Sequence, residues 1–346
     1  MRRNILIWLL AAALFLAGCG GAAGNRTEKA DSGEESASRD FFAMDTYMSV
    51  LAYGENAGKA VEKAVQEVNR LDSLLSAGDP DSEVGMINGN GGGVLSEDGR
   101  VLMERSLSLA AETDGRFDVC IYPLVELWGF TGQHYRLPGS GEISAVLPLT
   151  DPAGMTFDRN TGEVSFSKEG MMIDFGGIAK GYTSSRIIDI FRENGIGSGL
   201  VSLGGNIQAL GRKPDGSMWK IGIQDPEDSA AMIGVLEISD KAVITSGGYE
   251  RFFEENGNVY HHILDPETGY PADSGLLSVT IVCTDGTEAD GLSTSLFIMG
   301  KEEALRFWRE RSETFDVILV TDQREIIVTE GLRDSFSSSL PFEIVQ

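Results

Sequence analysis

Residues 199–211 read GLVSLGGNIQALG, two apolar runs on either side of a Gly-Gly pair. That texture persists from Gly199 to Thr284, where short strand runs are broken by Gly and Asp turns. On its N-terminal side, Lys180–Asn194 has helical spacing and ends at Gly195. Residues 154–175 have the look of short strands. Ser96 caps a helix that should run to about Thr113 and stop before Gly115. From Ala57 to Leu75 the apolar positions are 57, 60, 61, 64, 65, 68, 71, 74 and 75, an amphipathic helix. A polar, Gly-rich loop is expected from there through Gly93, and Phe41–Tyr53 reads as a strand. On the C-terminal side, Ala289–Met299 and Glu302–Glu310 read as helices, and strands near Val317–Val320 and Glu325–Val328 close the chain. Helices and strand meanders are partly segregated instead of strictly alternating. The spacing therefore predicts an α+β fold, with mixed or antiparallel sheets and flanking helices, over a doubly wound parallel sheet.

The chain has 346 residues, 28 Lys plus Arg and 53 Asp plus Glu, giving a formal charge of −25. A balance so acidic argues against a nucleic-acid binder, which needs a basic footprint. It argues equally against electrostatic docking on anionic lipid. A polyanionic ligand would need a metal or a local cluster of donors to be held.

Residues 1–18, MRRNILIWLLAAALFLAG, place two arginines before an apolar run too short for a confident membrane span. The run ends Leu16-Ala17-Gly18-Cys19, which resembles a bacterial lipobox; cleavage before Cys19 and lipidation of that cysteine are expected. Residues 19–39 then form a flexible tether without aromatic or large aliphatic residues, and the folded domain is expected over 40–346. Of the other cysteines, Cys120 and Cys283 sit in apolar runs and read as buried thiols, with a single disulfide the alternative.

Four segments carry residues fit for chemistry. In MMIDFGGIAKG (171–181) a strand ends in Asp174, a Gly-Gly follows, and a helix opens with Lys180, an arrangement in which backbone approaches a ligand closely and a helix N-terminus attracts phosphate. In EADGLST (288–294), Asp290 and Thr294 are i and i+4 on one helix face, hard oxygen ligands suited to Mg²⁺ with substrate phosphates and water. In YHHILDPETGYP (260–271), His261 and His262 on a strand would face opposite ways, so one alone can enter a site; His262, before the turn, fits a general base. In GRFDVCIYPLVELWGF (115–130), Asp118 with a flanking aromatic could grip a ring with donor edges. Taken singly, the first three read more readily as a strand–turn–helix junction, a helix cap and a structural histidine, and core packing explains most of the fourth.

Together and in order, with AMDTYMSV (43–50), DSEVGMIN (81–88), SLGGNIQALG (202–211) and ITSGGYERFF (244–253), they resemble the ApbE family over residues 40–335. That family consists of bacterial lipoproteins that act as FAD:protein FMN transferases. The resemblance implies a two-lobed fold with FAD in a central groove, and Mg²⁺ on Asp290, Thr294 and the carbonyl of Gly177. It implies FAD contacts from Met44, Arg116, Phe117, Asp118, Asp174, Lys180 and Ile263, with His262 as the base. It further implies release of AMP and a phosphoester between FMN and a threonine of an acceptor protein, such as a subunit of a membrane redox complex. The chain would be held on the extracytoplasmic face of the cell membrane by its lipid anchor. Two other readings use the same residues: an FAD pyrophosphatase giving FMN and AMP, and a flavin-binding lipoprotein without catalysis.

Overall fold

The computed structural model describes residues 26–29 and 35–346, so the leader and Cys19 lie outside the described residues. Its centre is a ten-stranded sheet whose spatial order follows chain order. The strands are Arg26–Lys29, Glu35–Ala43, Thr46–Tyr53, Ser198–Leu203, Asn206–Leu210, Ala242–Gly247, Leu276–Cys283, Asp316–Thr321, Ile326–Thr329 and Glu343–Val345. Neighbours pair antiparallel except the last two, which are parallel. The α+β expectation holds.

One face of the sheet carries the helices Ala57–Leu75, Ala179–Glu193 and Gly286–Arg309. Ala57, Ala60, Val61, Ala64 and Val68 pack on Met48, Val50 and Ala52 of the sheet. The other face is covered by a small sheet of Trp219–Asp225, Asp228–Ile238 and Phe336–Ser337. Its inward residues Trp219, Ile221, Ile223 and Leu236 meet Val243, Val282, Ile318 and Val328. The central strands are thus covered on both faces. That is why nearly every residue of LLSVTIVC and DVILVT is buried, Ser278 and Thr280 included, without the in–out alternation of a strand covered on one face.

Four expectations change. Sheet pairing begins ahead of Asp40, within the stretch expected to be a tether: Arg26–Lys29 pairs with Glu35–Ser38, Ser36–Ala43 pairs residue by residue with Thr46–Tyr53, and Ala37 is buried. The segment read as one strand over Phe41–Tyr53 is therefore the tip of a hairpin. Its turn is Met44-Asp45, both left-handed (φ 47° and 57°), a two-residue connection whose twist suits antiparallel strands. The loop expected through Gly93 contains a helix, Glu83–Asn90, started by Ser82, whose hydroxyl accepts from the Gly85 amide, and ended by left-handed Gly91. Its glycines hid the pattern. Finally, residues 171–175 make no ladder: Asn88 brackets Ile173 instead, accepting from its amide at 2.8 Å and donating to its carbonyl at 2.9 Å. One side-chain amide takes the place of a neighbouring strand.

The two helices expected at the C-terminal end are present: Gly286–Arg309 is divided at Gly300, whose backbone is non-helical (φ 76°). It begins three residues earlier than expected because Asp285 caps it, accepting from the Thr287 and Glu288 amides. Cys120 and Cys283 are free, buried thiols, each pushed up by burial. Among the described residues no helix is long and apolar enough to cross a membrane.

Candidate active site at one end of the sheet

Three elements end at the same edge of the large sheet: the Met44-Asp45 turn, the Gly204-Gly205 turn and the end of Ala242–Gly247. The Gly204 amide donates to the Tyr47 carbonyl, which ties the first two together. Against this edge the N-terminus of the Ala179–Glu193 helix crosses the first turns of Gly286–Arg309. The crossing is close because both sides are glycine: a Cβ on Gly181 would stand 2.1 Å from the Gly286 carbonyl oxygen, and one on Gly286 2.6 Å from that of Gly181.

That contact delivers the Gly181 amide to Asp290 Oδ2 at 2.8 Å. In a continuing helix the same amide would serve the carbonyl of Gly177, so Gly177 is freed of that partner. Asp290 Oδ1 accepts from Asn206 Nδ2 at 2.9 Å. The carboxyl is buried, and burial raises its pKa against the pull of Lys180 and the two donors. Thr294, one turn on, is half-buried with its hydroxyl 3.3 Å from that of Ser246. Among the described residues no group of three or more His, Cys, Asp or Glu could hold a metal. A cation here would take one carboxylate, a hydroxyl and a carbonyl, and fill its shell from substrate, which suits Mg²⁺ better than a soft metal. The donor set fits.

Gly181→Ala tests how the crossing is built. The new methyl meets backbone, which cannot give way, so we expect about 1–3 kcal/mol of destabilisation by overpacking, read by thermal unfolding. An unchanged melting temperature would show that the helices can part freely.

His262 follows the hairpin Phe252–Glu255/Asn258–His261. One face of that hairpin, Phe253 and Tyr260, rests on Trp128, whose indole N–H donates to the Gly269 carbonyl. This aromatic platform fixes where the histidine stands. The backbone N–H of His262 donates to the Arg251 carbonyl, and ring Nδ1 lies 3.2 Å from the same oxygen. A carbonyl can only accept, so Nδ1 carries the proton and Nε2 keeps its lone pair. Desolvation and the cations Arg251 and Lys180 push this imidazole below its ordinary range, so it is neutral at pH 7. His261 turns the other way, with Nε2 3.1 Å from the Ala272 carbonyl and its ring edge-on to Phe297. The strand ends at His261, and the two rings take different partners.

Lys180 and Arg251 form the positive pole of the site. Their fields reach Asp174, whose carboxyl also accepts from the Gly176 amide and is nevertheless raised by desolvation. Asp118 is buried, accepts from the Cys120 amide at 2.8 Å, and is pushed up to about 7, so near neutrality it can act as donor or acceptor. Phe117 is buried with its ring under Gly177, where a Cβ would meet it at 2.9 Å. Met44 packs beside the same core, its sulfur 4.0 Å from the Thr183 hydroxyl. Ile263 is buried, and its carbonyl accepts from Ala272. Arg116 is different: its guanidinium is engaged by Glu267 at 3.0 Å and by Asp265 and Glu303 at 3.9 Å, which pins the turn after His262. The carboxylate centre at Asp290 is thus met by Lys180, not by Arg116.

The ApbE family model matches residues 44–319. The chain belongs to the ApbE family. An FAD:protein FMN transferase of Klebsiella pneumoniae is 37% identical over 279 residues, covering 80% of this chain and 86% of that protein. One of Treponema pallidum is 31% identical over 319 residues, covering 86% and 88%. Among solved structures, the ApbE protein of Thermotoga maritima superposes with a TM-score of 0.81 at 33% identity, covering 86% of this chain and 98% of that one. The Pseudomonas stutzeri flavinyl transferase ApbE gives 0.74 at 30% identity, covering 83% and 92%.

Sequence reasoning passed over Asn206, Ser246 and Arg251 as site residues. They lie in two stretches that carry the ApbE resemblance, SLGGNIQALG and ITSGGYERFF, so the signal was present without an assigned role. The chain also explains its own small residues. A Cβ at Gly248 would meet the His261 ring at 2.8 Å, and one at Gly291 would meet Leu109 at 2.4 Å.

Proposed function

We propose that this ApbE chain transfers FMN from FAD to a threonine hydroxyl of an acceptor protein, with Mg²⁺ held by Asp290, Thr294 and the Gly177 carbonyl. What supports the reading is the His262 tautomer, fixed by the contact of Nδ1 with the Arg251 carbonyl so that Nε2 is left to accept, together with the buried Asp290 carboxylate; the Lys180 charge acts on both groups. A flavin in the groove would meet Met44, Phe117, Asp118, Asp174 and Ile263. Bound Mg²⁺ would neutralise pyrophosphate charge and polarise the phosphorus–oxygen bond under attack.

The chain's own part is positioning and proton transfer. His262 Nε2 takes the hydroxyl proton as the acceptor oxygen bonds to the FMN phosphorus; the pyrophosphate linkage breaks and AMP leaves. Lys180, half-buried at its helix start, adds positive charge where phosphate oxygens gather. Asp174 and Asp118 present carboxyl groups to the polar edges of the rings. The lipid anchor at Cys19 and the extracytoplasmic membrane face belong to the same proposal, supported by the sequence of residues 1–19.

The test incubates the chain from Arg26 onward with FAD, Mg²⁺ and an acceptor protein bearing a surface threonine. The expected result is a covalent FMN adduct, seen as in-gel fluorescence and mass shift, with one AMP per adduct. AMP with free FMN and no adduct would move the reaction to pyrophosphate hydrolysis. Intact FAD throughout would remove catalysis.

A further inference from the structure

Four oxygens form a chain between the end of the Ala242–Gly247 strand and the Gly286–Arg309 helix. Thr294 Oγ1 lies 3.3 Å from Ser246 Oγ, Ser246 Oγ lies 2.7 Å from Ser293 Oγ, and the Ser293 hydroxyl donates to the Asp290 carbonyl at 2.8 Å. A hydroxyl has one proton, and a carbonyl oxygen can only accept. The last link therefore sets the direction of the others. Ser293 spends its proton on the Asp290 carbonyl and must accept from Ser246. Ser246 spends its proton on Ser293 and must accept from Thr294. Ser293 is fully buried, so no solvent proton competes at that link.

We infer that Ser246 is a positioning residue for the metal: it takes the Thr294 proton and so turns the Thr294 lone pairs toward the cation. This rests on the proposed Mg²⁺ site at Asp290 and Thr294. Without Ser246, the Thr294 hydroxyl is free to rotate and to aim its proton at the ion, which a cation opposes. The Asp290 main chain anchors one end of the chain while its side chain is the proposed ligand, so the two oxygen ligands of the helix are set by one network. Partners that orient a metal ligand in this way are typically worth a factor of about 10–100 in metal affinity.

The experiment measures Mn²⁺ binding directly, by electron paramagnetic resonance of the free ion, in the whole chain with no acceptor and no turnover. Ser246→Ala should weaken Mn²⁺ about tenfold while FAD affinity in EDTA stays unchanged. Ser246→Thr, which restores the hydroxyl, should recover most of the loss, a result that a purely structural role of the serine would not require. Ser293→Ala, which removes the acceptor for Ser246, should weaken Mn²⁺ in the same direction. Asp290→Asn and Thr294→Val control for the underlying site. If both abolish Mn²⁺ binding but Ser246→Ala and Ser293→Ala match wild type, the hydroxyl chain is overturned and the metal site stands. If Asp290→Asn binds Mn²⁺ like wild type, the metal site falls and the inference with it.

Discussion

Asp290→Asn is expected to reduce FMN transfer by at least about 10²–10³-fold, the scale set by removing one preorganised charge-stabilising group. Shape is almost unchanged, so the loss is chemical. Both carboxylate oxygens accept, Oδ2 from the Gly181 amide and Oδ1 from Asn206. A carboxamide has one acceptor oxygen, so one donor would face another. That mismatch alone costs about 1–3 kcal/mol in a buried position. The measurement must therefore separate folding from function. We expect a lower melting temperature, FAD binding in EDTA close to wild type, and no recovery of transfer at high Mg²⁺. Wild-type transfer at saturating Mg²⁺ would mean that the carboxylate only ties the two helices together.

The fold was legible where burial is one-sided. Ala57–Leu75 shows its apolar stripe because one face meets the sheet and the other meets water, and its boundaries match the expected ones. The reading failed where a side chain replaced a backbone partner. Asn88 standing in for a strand beside Ile173 leaves no periodic trace. The Met44-Asp45 turn was missed because it places two non-glycine residues at positive φ, without the usual Asn-Gly signal. Within the candidate site, Asp290, Thr294 and His262 were singled out because their residue types suit metal and proton chemistry, and only the combined ApbE resemblance lifted them above a cap or a structural histidine. Ser246 and Asn206 were not, because a serine or an asparagine acquires a role only through what it touches. Arg116 shows the converse. Its residue type suits an anion, but Asp265, Glu267 and Glu303 already claim its charge.

His262→Ala should lower the transfer rate by about 10²–10⁴-fold, the range for loss of a positioned general base, while FAD affinity changes little. The ring follows a hairpin secured by Trp128, Phe253 and Tyr260, so its removal leaves the surrounding side chains in place. The pH profile discriminates further. An ordinary histidine base would lose activity below its reference pKa of 6.5. Here burial and the Arg251 and Lys180 cations disfavour the imidazolium, so the acid limb of kcat/KM should lie below pH 6.5. Stability follows the same sign. The unfolded histidine takes a proton near pH 6.5 and the folded one does not, so this contribution is full above that pH and declines as pH falls toward the lowered folded value. Replacing Arg251 with Met removes one of the two cations and should move the acid limb back toward 6.5. A limb at 6.5 in the wild-type chain, unmoved by Arg251→Met, would show that the imidazole is solvated and that another group removes the proton.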